Sequence, residues 1–205
     1  MKIELIGVSK SFKERELFSD LNAVFNPGEI TCILGNSGCG KTTLLNMIGL
    51  IESYDGQILY DGYAPKGNKN TNKFMSEKIG FIFQNFALLE NETVIDNFKV
   101  LKKFKNNSKE KEKISKILKT VGLTGIENKK VYLLSGGEQQ RVAIAKILYK
   151  NPDIILADEP TASLDEDNKK GIIELLISLK KMNKTVVVVT HDQFFKNISD
   201  KTIYV

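Results

Sequence analysis

The chain has 205 residues, 41% of them hydrophobic and 27% charged, which suits one buried core under an ordinary charged surface. No apolar run reaches the roughly 18 residues of a membrane span, and the N-terminus MKIELIGVSKSF lacks the charged-then-apolar order of a secretion signal, so the expected location is the cytoplasm. The formal charge of +5 comes from 28 Lys and 2 Arg against 25 acids. Such a balance can attract an anionic membrane face or nucleic acid; lysines spread this evenly also make plain solvated faces. Cys32 and Cys39 form neither a disulfide framework nor a metal pattern.

Lys2 to Ser9 and Leu17 to Phe25 alternate apolar and polar residues, which predicts half-buried antiparallel strands. Glu29 to Leu34 is an apolar strand entering the glycine-rich loop Gly35 to Gly40, and a helix follows from Lys41 to about Ile51. Gln57 to Tyr60 and Lys78 to Phe83 read as strands, with Asp61 to Ser76, rich in Gly, Asn and Lys, as loop between them. From about Phe86 to Lys150 the pattern is helical. There Ser108 is a candidate N-cap, and Ile114, Ile117, Leu118 and Val121 share one face before Gly122. Apolar strands at Ile154 to Ala157 and Thr185 to Val189 flank a helix from about Asp167 to Met182, and a short strand closes the chain at Lys201 to Val205. Continuous apolar strands alternating with helices predict an α/β fold with a mostly parallel sheet covered on both faces.

Gly35-Asn36-Ser37-Gly38-Cys39-Gly40-Lys41-Thr42 fits G-x-x-x-x-G-K-[ST], the phosphate-binding P-loop. Glycines let backbone N–H groups wrap phosphate, and the following helix adds its positive end. Lys41 is placed to reach the terminal phosphates and Thr42 to hold Mg²⁺. A strand before and a helix after complete the expected context.

The strand Ile154 to Ala157 ends in Asp158-Glu159-Pro160, two carboxylates at the carboxyl end of a buried strand, where open α/β sheets bind ligands. Asp158 is suited to anchor Mg²⁺ through water, and Glu159 to polarise an attacking water as general base.

Leu134-Ser135-Gly136-Gly137-Glu138-Gln139-Gln140-Arg141 reads as a capping box opening a helix, Ser135 with Glu138, whose free N–H groups attract an anion. With the P-loop, this octet resembles the LSGGQ-type signature of ABC ATPases, and the resemblance covers essentially the whole chain. It implies a P-loop NTPase of ABC type: a single domain over 1–205, with core and antiparallel β subdomain at about 1–85 and 151–205 and a helical signature subdomain at about 86–150. It implies ATP and Mg²⁺ as cofactors, and a homodimer in which Ser135, Gly136, Gly137 and Glu138 of one copy bind the γ-phosphate held by the other. The nucleotide set in each copy is Phe12, Gly35, Asn36, Ser37, Gly38, Cys39, Gly40, Lys41, Thr42 and Thr43. Phe12 stands where a tyrosine more often stacks on adenine; packing in the core is the other reading. Gln84 matches the glutamine that touches Mg²⁺ and the attacking water, so the metal set is Thr42, Gln84 and Asp158. His191, the chain's one histidine, matches the switch histidine at the γ-phosphate; with Glu159, Gln84 and Lys41 it completes the catalytic set. Ser163-Leu164-Asp165 resembles the loop that crosses to the opposite site.

The stretch Phe83 to Leu89 with Thr93-Val94 and Asn97 looks like the lipoprotein-release and macrolide-export branch, and still more like small bacteriocin-export cassettes. Glu90 in place of proline, Thr42-Thr43 in place of Ser-Thr and Cys39 in place of serine depart from that branch without removing a needed chemical group. The resemblance implies a separate integral-membrane permease as partner, with this chain peripheral on the inner face of the membrane. A signalling ATPase acting on a permease-like partner without cargo is the alternative. Nucleic-acid ATPases that share this head carry long coiled-coil insertions or two cassettes, neither of which occurs here, so no nucleic-acid partner is expected. The chain stops just after its last strand, and no C-terminal regulatory domain is expected.

Overall fold

The computed structural model describes residues 1–12, 15–83, 86–101, 104–105, 107–162, 164 and 166–205, with backbone alone for 167 and 168. In chain order the elements are β1 (Ile3–Phe12), β2 (Arg15–Phe25), β3 (Ile30–Leu34), α1 (Lys41–Ile48), β4 (Asp55–Tyr60), α2 (Asn68–Lys78) and β5 (Ile79–Ile82). They continue as α3 (Val94–Lys99), α4 (Ser108–Thr120), a 3-10 turn at Val131–Leu133, α5 (Gly136–Lys150), β6 (Ile154–Asp158), α6 (Glu166–Lys181), β7 (Thr185–Val189), α7 (Phe194–Ile198) and β8 (Lys201–Tyr204).

The apolar strands pair in parallel, in the order β5-β6-β7-β3-β8. Both faces of that sheet are buried, and the two-residue strand period sorts the side chains. Ile155, Ala157, Val186 and Val188 face a core shared with α3, α4, α5 and α6. Ile154, Leu156, Val187 and Val189 face a second core built by α1 and the antiparallel sheet β2-β1-β4. Burying each such side chain contributes about 1.5–3 kcal/mol, so interruption of either of these two central strands is costly. Asn97, fully buried, satisfies its amide within the chain: it accepts from Leu89 N–H at 2.8 Å and donates to Leu89 O and Thr93 O, both at 3.1 Å.

Several boundaries differ from the sequence reading. The expected loop at 61–76 contains α2. Its Asn-rich, uncapped sequence is a weak helix former. The helix is held by Phe74, whose ring lies 4.8 Å from that of Tyr60 and 6.2 Å from that of Tyr63. Lys78, expected in a strand, is the last residue of that helix. Asn107 rather than Ser108 caps α4, accepting from Glu110 N–H at 2.8 Å. β1 runs on to Phe12 and β2 starts at Arg15, so this hairpin is longer than the alternation suggested. α1 ends at Ile48 rather than Ile51, and α7 was not expected at all.

Candidate active site

The carboxyl ends of β6, β7 and β3 lie side by side, since Val189 pairs with Asp158 on one flank and with Ile33 on the other. Everything that follows these strands is therefore delivered to one place. After β3 comes the loop 35–40. A Cβ on Gly35 would lie 2.3 Å from the carbonyl oxygen of Val205, so only glycine lets the loop pass the end of β8. Gly40 has φ 102 and would place a Cβ 2.8 Å from the Phe18 ring, which again leaves glycine alone. Gly40 is also the N-cap of α1 and has no side chain with which to cap it, an opening of the kind that receives phosphate.

Lys41 folds back over this loop, its ammonium donating to Gly35 O at 2.8 Å and Asn36 O at 2.9 Å. Thr42 Oγ1 donates to Asp158 Oδ1 at 3.2 Å. Burial pushes the Asp158 carboxyl above its usual range, the Thr42 hydrogen bond pulls it down, the charge of Glu159 pushes it up and Lys41 opposes that. A hydroxyl and a carboxylate this close are the hard oxygen donors that suit Mg²⁺. Held there, the ion would neutralise charge on bound phosphates.

Glu159 follows β6 with φ 45, an uncommon backbone conformation for a residue with a side chain. Its N–H donates to Val189 O at 2.9 Å. One carboxylate oxygen, Oε2, accepts from Thr190 Oγ1 at 2.9 Å, and the other, Oε1, lies 2.8 Å from His191 Nδ1. The His191 side chain is 73% exposed against 18% for Glu159, so the ring covers the carboxylate from the solvent side.

A cleft of about 600 Å³ brings together Phe12, Ser37, Gly38, Gly40, Lys41, Thr42, Thr43, Asp158, Glu159 and His191. Gly35, Asn36 and Cys39 belong to the same loop, Cys39 Sγ lying 3.9 Å from Lys41 Nζ. Cys32 is buried in β3, and burial pushes its thiol up to about 12, so it stays an unreactive thiol. Gln84, Ser163 and Asp165 lie outside the described residues; Leu164 packs against the core on the α5–α6 side. Among the described residues, none of Ser135, Gly136, Gly137 and Glu138 lines the cleft. They form the expected capping box: Ser135 N–H donates to Glu138 Oε2 at 2.8 Å, and Glu138 N–H to Ser135 Oγ at 3.3 Å. The Ser135 N–H holds the Glu138 carboxyl below its usual range.

Phe12 is 47% exposed on the cleft wall rather than packed in a core. The ammonium of Lys10 sits 4.7 Å from its ring centroid and is itself fixed by Glu52 at 2.7 Å and Ser53 O at 2.8 Å. A ring anchored in this way presents a face on which a base can stack. Such stacking contributes ~1–3 kcal/mol, so Phe12→Ala is expected to weaken ATP binding by roughly one to two orders of magnitude. Titration of the purified protein with a fluorescent ATP analogue measures this, and an unchanged affinity would rule the platform out.

Two residues of the site were not singled out in the sequence. Arg15 stands opposite Phe12 in the β1–β2 register, lines the cleft and donates to Gly38 O at 3.0 Å. Its place at the hairpin end was hidden by the underestimated strand lengths. Thr190 carries no local signal of its own, because its partner Glu159 is remote in sequence.

Among the described residues, no helix is long and apolar enough to cross a membrane. Residues 18–162 match the family model described as ABC transporter. The lipoprotein-releasing system ATP-binding protein LolD of Bacteroides thetaiotaomicron is 38% identical over 208 residues, covering 98% of this chain and 95% of that protein. The arginine transport ATP-binding protein ArtM of Bacillus subtilis is 36% identical, covering 98% of this chain and 86% of that protein. The dimeric ABC cassette MJ0796, solved in a post-hydrolysis state with ADP and phosphate, superposes with a TM-score of 0.88 at 35% identity, covering 99% of this chain and 94% of that one. The chain belongs to the ABC transporter family, as an ATP-binding subunit that hydrolyses ATP.

Proposed function

We propose that this subunit works as a homodimer holding two Mg²⁺-ATP, each between the Lys41 side of one copy and the Ser135 to Glu138 side of the other, and that the dimer drives a separate integral-membrane permease. The observation that carries this reading is the division of the site. The cleft gathers the described phosphate-side groups, while the signature residues stand on another surface of the same chain. Thr42 and Asp158, with Gln84, are the proposed Mg²⁺ set; Lys41, Glu159, His191 and Gln84 are the proposed catalytic set. The proposed helical subdomain that carries the signature spans about residues 86–150.

The permease seat is a groove of about 370 Å³ between α2, β5 and α5, with Met75, Phe81, Phe86, Leu101 and Ile147 on its walls. Lys146 lines it too, and burial pushes its ammonium down. Phe86 is two residues after Gln84 in the sequence, which supports reading this groove as the coupling contact. Through this contact the subunit is peripheral on the inner face of the membrane. The cargo class is an exported peptide or a lipid-like molecule. That choice rests on the stretch from Phe83 to Asn97 and on relatives named for lipoprotein release. Met75→Glu tests the seat: ATP binding is expected to survive while co-purification with the cognate permease from detergent-solubilised membranes is lost. Undiminished co-purification would move the contact elsewhere.

A further inference from the structure

The geometry points to Thr190 as the positioning residue for Glu159, fixing which carboxylate oxygen faces the nucleotide. This rests on Glu159 acting as the base. Thr190 is fully buried just after β7, its N–H directed to Ile33 O of β3 at 3.3 Å. Its hydroxyl accepts from Asp192 N–H at 3.0 Å and lies 2.9 Å from Glu159 Oε2. A hydroxyl owns one proton, and an ionised carboxylate can only accept. With Asp192 N–H already donating, the proton of Thr190 goes to Oε2. That oxygen is thereby tied to the sheet side, and Oε1 is the one turned to the cleft, where His191 covers it.

The tie has a task to perform. Glu159 stands at φ 45, where a side-chain-bearing residue persists only if its surroundings hold it. Its N–H bond to Val189 O holds the backbone, and the Thr190 hydroxyl holds the carboxylate. Without that donor the carboxylate can swing about its terminal torsions, and the proton-accepting oxygen loses its fixed place relative to the attacking water. Misplacement of a reacting group by about 1 Å costs up to roughly 10²-fold in rate.

Thr190→Val keeps the shape and removes both the proton given to Glu159 and the oxygen that accepts from Asp192 N–H. The expected result is a kcat lower by roughly 10- to 100-fold, with KM for ATP and nucleotide affinity within about threefold of wild type. Thr190→Ser, which keeps the hydroxyl, returns most of the rate. A residue needed only for packing would instead lower nucleotide affinity and thermal midpoint along with kcat, and serine would not restore it. If the valine variant does not fold, Thr190→Cys, a weak donor of similar size to serine, is compared with Thr190→Ser; equal kcat values for the two overturn the proposal. Glu159→Gln separates the layers. If it turns over ATP normally, the assignment of the base fails. If it is inactive while Thr190→Val has normal kcat, only the role of Thr190 fails.

Discussion

Purified Lys41→Ala protein is expected to bind nucleotide weakly and to hydrolyse ATP at no more than about a hundredth of the wild-type rate, since deleting one donor aimed at transition-state charge costs roughly 10²–10³-fold. The ammonium lies over the loop, held by the carbonyls of Gly35 and Asn36. Those carbonyls are neutral acceptors, whereas phosphate oxygens are charged and accept more strongly. The ammonium can therefore turn from the carbonyls to a phosphate with little movement, because both stand on the loop that wraps it. Alanine removes the two bonds to Gly35 O and Asn36 O, while the close approaches to Val205 and Phe18 that require glycine at 35 and 40 remain. The loss is thus electrostatic, and the thermal midpoint should stay close to wild type. Phosphate release at saturating Mg²⁺-ATP measures it. A rate within threefold of wild type would mean that loop 35–42 is not the phosphate cradle.

How much of this was legible in the sequence depended on whether the cause was local. The central strands were visible because burial on both faces leaves them almost wholly apolar, with Thr31 and Thr185 the buried polar exceptions in β3 and β7, and the P-loop because its glycines, lysine and threonine are consecutive. The capping box at Ser135 was visible because it closes within one helical turn. α2 was not: its own residues argue against a helix, and the force that holds it is the contact of Phe74 with Tyr60 and Tyr63, which no local pattern reveals. Arg15 was missed because shifts in the β1–β2 register carry the hairpin past the point where the alternation fades. Thr190 needed the pairing of β6 with β7 before its hydroxyl could be set beside Glu159. At the cap of α4, Asn107 and Ser108 both favour that position, and the fold uses the one with extended backbone, at φ −137. Cargo is not written in the nucleotide cleft, whose wall is backbone, phosphate-side cations, carboxylates and one aromatic ring.

The Glu159→Gln variant is expected to accumulate as an ATP-bound dimer that the wild-type chain forms only in passing. Glutamine keeps the length of the side chain, and its carbonyl oxygen can still accept from Thr190, so the local structure at φ 45 is preserved. What it loses is basicity, and loss of a general base costs about 10²–10⁴-fold in rate. ATP binding, assigned to the loop, Lys41 and Phe12 rather than to Glu159, should persist. The bound triphosphate then bridges two copies, because one chain's cleft contains none of the signature residues among those described. With hydrolysis slowed, the bridge lasts. Adding Ser135→Arg tests the other half of it. Ser135 caps α5, and losing an N-cap costs about 1 kcal/mol, too little to unfold the chain. The arginine side chain would fill the space where the partner's γ-phosphate must approach. The double variant is expected to return to monomer with ATP still bound in the cleft. Size-exclusion chromatography with light scattering, with and without Mg²⁺-ATP and with the permease supplied, reads both outcomes. If Glu159→Gln stays monomeric at high concentration and saturating ATP, or if Ser135→Arg leaves its dimer intact, ATP is not shared between two copies in the way proposed.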